Sequence, residues 1–158
     1  MRVGTRFSIV RSSFVVMIGL TLGASAFAQN ARTEAERDLF AAANQARRAQ
    51  GLPALRWDDS LAMAARRHAA VMAQHGTTQH GYEGEPSLSA RAKEAGAHFT
   101  WLSENVTQGP TTAAVHAQFM NSPNHRANLL DHDMDSVGIG VAERSGQFFV
   151  VEDFSQAR

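Results

Sequence analysis

Two histidines and one glutamate, His80, His125 and Glu104, are the side chains of this sequence best suited to chemistry. Neutral imidazole and carboxylate suit Zn²⁺ or another divalent cation, and three protein ligands plus water is the usual catalytic zinc arrangement. Without metal the same trio could run acid–base chemistry, because histidine titrates near neutral pH and Glu104 could serve as general base. Spacing alone is a weak guide. No HExxH is present, and no two histidines stand four apart. The spacing also admits a purely structural reading: Glu104 pins a loop by accepting backbone N–H bonds, and His125 caps a helix. Buried polar groups must be bonded whether or not they react.

Other chemistries lack their signatures. There is no cysteine, which excludes a thiol nucleophile and a Cys-rich zinc site. No G-x-S-x-G occurs, and Ser122, close to His125, reads more simply as a helix cap. Gly138-Ile139-Gly140 lacks the later glycine and following helix of a phosphate loop. His68 shares an apolar helical face with Leu61, Ala65, Ala69 and Met72, so it reads as a core-edge histidine bonded to backbone, with a ligand role as the sharper option.

The elements that must position these residues follow from local signals. Thr33 to Glu36 fits a capping box, opening a helix to about Gln50 that Gly51 stops. Leu39, Phe40, Ala43 and Ala46 form its apolar face, and Arg47 and Arg48 suit its C-terminal dipole. Pro53 forces an extended link that carries Leu55 and Trp57 into the core. Asp58 or Asp59 caps a second helix to about His75, with Gly76 as its stop. Thr77 to Pro86 is a polar surface loop with His80 at its centre. Ser87 or Ser89 opens a short third helix, stopped by Gly96. Ala97 to Trp101 is irregular or extended and leads into Glu104-Asn105-Val106. Gly109-Pro110 breaks the chain before a fourth helix capped by Thr111 or Thr112. His125 to Leu130 is one tight helical turn. Val137–Ala142 and Phe148–Phe154 are strands joined by a Ser145-Gly146 hairpin turn. Helices first and a hairpin last predict an α+β domain, with helices covering a small antiparallel sheet.

With 158 residues, 44% hydrophobic and 19% charged, the chain is long enough for one domain with a proper core. Lys+Arg and Asp+Glu are 15 each, and no basic–aromatic run occurs, so nothing here recruits nucleic acid. Residues 1–28 read as a signal peptide. Arg2, Arg6 and Arg11 precede the apolar Phe14–Leu22, and Ala26-Phe27-Ala28 is an A-x-A cleavage site. That apolar run is about half the roughly 20 residues of a spanning helix, so no stable membrane span remains after cleavage. The removed arginines leave residues 29–158 as one mildly acidic domain, secreted or periplasmic, whose fold relies on its core without disulfides.

A resemblance spans residues 36 to 155. Asn44 through Leu55, Leu61 through Ala69 with Met72-Ala73, and His80 carry its first half. Arg91 with Ala95-Gly96, Glu104-Asn105-Val106, Gly109, Asn121 through Leu130, Val137-Gly138-Ile139-Gly140 and Phe154 carry the rest. In these residues the chain resembles the disulfide-free bacterial form of the CAP superfamily: the SCP-like, cysteine-rich secretory, antigen-five and pathogenesis-related proteins. The resemblance implies an α-β-α sandwich with a large central cavity. It implies that His80 and His125 face the cavity with Glu104 beside them, supported by Ser122, Asn105 and Asn128. In some relatives this histidine pair resembles a divalent-metal site. Three departures stand out: Ser103 where glycine is usual, Phe119 where tryptophan is usual, and Ser122 near the expected second cavity glutamate.

The expectation is a secreted or periplasmic domain whose cleft holds Zn²⁺ or another divalent cation through His80 and His125. Its further ligand would be a small molecule, a lipid or an envelope component. A metal-dependent peptidase or cell-wall amidase with Glu104 as general base is the alternative, and a non-catalytic envelope interaction protein is the third reading.

Overall fold

The computed structural model describes residues 32–157; the expected signal peptide lies outside them. Five helices and four strands are present among the described residues. These are α1 (Glu34–Ala49), β1 (Arg56–Trp57), α2 (Asp59–His75), α3 (Leu88–Glu94), β2 (Phe99–Gly109), α4 (Thr112–Asn121), α5 (Pro123–Leu129), β3 (Ser136–Arg144) and β4 (Gln147–Ala157). This is the expected α+β domain, helices on both faces of a sheet. None of the described helices is long and apolar enough to cross a membrane.

The helix boundaries follow their caps. Thr33 and Glu36 close the capping box, Asp58 accepts from Leu61 N–H, Ser87 from Ala90 N–H, and Thr111 from Ala114 N–H. Each such bond satisfies a donor that the first helical turn leaves open. Ser122 occupies the N-cap position of α5, but its side chain makes no cap bond; Pro123 begins the helix, having no N–H to satisfy.

The sheet order is β1-β3-β4-β2. The three long strands are antiparallel, and the two-residue β1 joins β3 in parallel, Trp57 opposite Val137. The expectation for residues 97–101 falls short. Phe99 begins an eleven-residue strand that carries Glu104 and pairs with β4 throughout, apart from an irregularity between Phe99 and Trp101. Ser103, Glu104 and Asn105 do not announce a strand; pairing with the apolar β4 imposes it.

Strand alternation divides the core. Val137, Ile139, Val150 and Phe154 meet Leu39 and Ala43 of α1, Val115 and Phe119 of α4 and Leu129 of α5. On the opposite face Val106, Phe149 and Val151 meet Ala65, Ala69 and Met72 of α2. Gly138 and Gly140 also face α2. A Cβ on Gly138 would lie 2.1 Å from Ala62 N, and one on Gly140 2.2 Å from the Ala65 carbonyl carbon. The missing side chains let helix backbone lie directly on the strand. The β3–β4 turn places Ser145 and Gly146 at φ 53° and 71°, the left-handed pair of a two-residue hairpin.

Arg47 corrects the expectation that it merely suits the helix dipole. It is buried, and its guanidinium donates to the carbonyls of Pro53, Leu129, Asp131 and Met134. It ties α1 to the chain leaving α5. Burial lowers its pKa from the ordinary arginine value, against the pull of Asp131.

Candidate functional site

Glu104 is the hinge of the site. It points to the α2 side of the sheet, directly opposite Asp153 of β4, while its neighbour Asn105, opposite Glu152, points to the α4–α5 side. Glu104 is therefore a strand residue, where a loop residue had been expected.

Both oxygens of Glu104 are occupied. Oε1 accepts from His80 Nδ1 at 2.8 Å, and Oε2 accepts from Arg91 Nη2 of α3. Arg91 is buried and also donates to the carbonyls of His80 and Pro86 through Nη1. One guanidinium thus fixes both the acid and the backbone of the histidine it bonds. The carboxylate can only accept, so Nδ1 of His80 carries the proton and Nε2 is left free. The His80 side chain is 64% exposed, against 3% for that of Glu104. The bond to Glu104 raises the His80 pKa above the ordinary value, outweighing partial burial and the Arg91 charge.

The loop bearing His80 is held by His68. As expected of a core-edge histidine, His68 is buried and bonds backbone: Nε2 donates to the Gln79 carbonyl at 2.8 Å. Its Nδ1 lies 2.6 Å from Glu85 Oε1. Tyr82 closes the loop further, stacking on His75 with 4.1 Å between ring centres and donating to the Thr77 carbonyl.

His125 reaches the site from the other face, in the first turn of α5. Asn105 Nδ2 donates to the His125 carbonyl at 3.0 Å, and Asn128 Nδ2 bonds Asn105 Oδ1 and the Glu104 carbonyl. The two asparagines stitch α5 to β2 at Glu104. The His125 ring stands edge-on to Phe119. Its pKa is lowered, first by burial and then by the charge of His80, so the two imidazoles feel each other. The three donor groups do not form one tight cluster. Among the described residues the only three His or acidic side chains whose donor atoms all lie within 4.8 Å are Asp131, His132 and Asp133.

Sequence reasoning missed the acids beneath the site. Asp153 is fully buried, and burial, then the like charge of Glu104, pushes its pKa well up. Glu152 is equally buried on the other face. Asn105 Nδ2 donates to its Oε2 at 3.3 Å, its Oε1 is unpartnered, and burial pushes its pKa to about 8. Two adjacent acids inside Phe149–Phe154 were the available signal, because an apolar strand rarely buries charge without purpose. Ser122, expected to support the cleft, makes no cap bond there.

The architecture and these residues place the chain in a family. The model of the cysteine-rich secretory protein family, CAP, matches residues 40–154, and the chain belongs to that family. An uncharacterized membrane protein of Bacillus subtilis (strain 168), YlbC, is 32% identical over 114 residues, covering 70% of this chain and 32% of that protein. An SCP-domain extracellular protein of Bacillus anthracis str. Ames superposes with TM-score 0.72 at 25% identity, over 77% of this chain and 40% of that one. An outer surface protein of Borrelia burgdorferi superposes with TM-score 0.73 at 22% identity, over 80% of this chain and 95% of its own, a likeness of fold. The chain therefore spans about a third of its YlbC relative.

Proposed function

We propose that this is an exported CAP-domain protein whose cleft binds a divalent cation, Zn²⁺ being the natural probe, through His80 Nε2 and His125. The observation that carries the reading is the bond from His80 Nδ1 to Glu104. A metal-binding histidine commonly donates its other ring N–H to a carboxylate, which sets the tautomer and the ring orientation. Lowered proton affinity keeps His125 neutral, the state in which imidazole binds metal. A bound cation would supply Lewis acidity at the cleft. The chain's own contribution is to orient: Arg91 holds Glu104, Glu104 holds His80, and Asn105 holds the backbone of His125.

This arrangement assigns Glu104 to positioning. A general base needs a free oxygen toward the reacting water, and both of its oxygens are engaged. The hydrolase reading is correspondingly less supported. A small apolar molecule or lipid from the envelope is the further ligand we propose. Its support is a separate, mainly apolar groove of about 350 Å³ between α1 and α4, lined by Ala42, Ala113, Ala117 and Met120 together with Asp38, Thr112 and His116. Export rests on the sequence of residues 1–28 and on the extracellular and outer-surface proteins that share the fold.

Calorimetric titration of Zn²⁺ into the wild type, His80→Ala and His125→Ala tests the cation. Both substitutions should abolish or strongly weaken binding. Equal affinity in all three proteins would overturn the reading.

A further inference from the structure

Trp101 is the large hydrophobic side chain left exposed among the described residues, at 63%. It lies on β2 opposite Gln156 and lines a groove of about 380 Å³ with Thr100, Gln156, Asp131 and Asp133. None of the residues proposed for the cation site lines it. We propose that this groove docks the lysine or arginine side chain of an extended peptide.

The chemistry is complementary. An ammonium or guanidinium over an indole face is attracted by the ring quadrupole, and carboxylates alongside add charge-assisted hydrogen bonds. The groove's lining supplies both, an indole and two carboxylates. Of the cationic groups nearby among the described residues, only the exposed His132 faces these carboxylates, and an incoming arginine or lysine would displace it. Arg47 is buried beneath the loop and spends its donors on carbonyls, Asp131's among them. His132 projects into solvent, 3.7 Å from Asp131 and 3.3 Å from Asp133. Arg56 pairs with Asp135.

The groove is also preorganised. Arg47 clamps the loop through Leu129, Asp131 and Met134, and the Asp133 N–H donates to Asp131 Oδ1 at 2.9 Å. Thr100 Oγ1 donates to Gln156, fixing the end of β2 against β4. Rigid walls reduce the entropy lost on binding. The sheet order selects a peptide. β2 ends it, so its outer side has no strand partner among the described residues, and Thr100 and Trp101 at that end are exposed. An extended chain can hydrogen-bond along such an edge while a side chain enters the groove.

The test is calorimetric titration of acetyl-Val-Arg-Val-Arg-Val-amide into the whole protein at low salt, with the glutamate counterpart as control. The arginine peptide should bind and the glutamate peptide should not. Trp101→Ala and Asp131→Asn/Asp133→Asn should each weaken binding about fivefold, as expected of exposed cation–π and ion-pair contacts. Trp101→Phe should retain most of it. His80→Ala should leave it unchanged, which separates this site from the proposed cation site. Equal binding of the two peptides, or no loss in Trp101→Ala, would overturn the proposal. So would binding that needs Zn²⁺ and vanishes with EDTA, which would assign Asp131–Asp133 to a metal.

Discussion

Glu104 and Asp153 stand directly opposite each other across β2 and β4, two carboxyl groups on one face of one sheet. Arg91 and His80 neutralise Glu104, while burial and the like charge of Glu104 push Asp153 toward its protonated form. An acid whose folded pKa is raised stabilises the fold fully below its unfolded pKa and loses that contribution as pH rises through the folded value. Asp153→Asn should therefore be more stable than wild type by at least about 1 kcal/mol at pH 8, with a smaller gain at pH 5. Urea unfolding at the two pH values measures this. A gain independent of pH would show that Asp153 is not a neutral acid in the fold.

Glu152 makes the same argument on the opposite face. Its pKa of about 8 places the loss of stability between the ordinary carboxylate range and pH 8, at about 1.4 kcal/mol per pH unit while only the unfolded chain is ionised. Glu152→Gln should flatten that slope while keeping an acceptor for Asn105. A carboxyl-carbon NMR titration of Glu152 should find its midpoint near 8. A midpoint near 4 would contradict the assignment.

His80 should set the pH dependence of cation binding. Its pKa is raised by Glu104, so protons compete with metal from above the ordinary histidine value of about 6.5 downward. Zn²⁺ affinity should begin to fall above pH 6.5 as acid is added. Glu104→Gln should move that fall to lower pH and weaken affinity at pH 8 about tenfold or more, with Arg91 still held by Glu85 and the carbonyls of His80 and Pro86. Unchanged pH dependence in Glu104→Gln would remove the orienting role.

Gly138 is fixed by sterics. Alanine there would drive a methyl against Ala62 N and the Leu61 carbonyl carbon, both backbone, costing about 3 kcal/mol or more. Alanine at Gly81, where nothing lies within 4 Å, should change stability by about 0.5 kcal/mol at most. Thermal melts of the two variants should separate clearly; similar values would mean that α2 can yield.

Much of this architecture was readable residue by residue. The capping box at Thr33, the caps at Asp58 and Thr111 and the Ser145-Gly146 turn are local, each specified within a few residues of chain. Motifs of that kind announce themselves because their partners are neighbours in sequence. Phe99–Leu102 read only as irregular or extended, and pairing with β4, more than fifty residues away, decided for strand. Arg47 read only as a charge suited to the helix dipole, because three of the four carbonyls it serves arrive from beyond residue 128.

The sequence by itself determined the class of domain, the helix ends and the residue types able to do chemistry. Tertiary structure alone decided who meets whom: that Arg91 holds Glu104, that Glu104 holds His80, and that Asn105 reaches the backbone of His125 from the opposite face. The physical reason is that alternation along a strand sends neighbours to opposite sides, while register and packed helices choose what each one finds there.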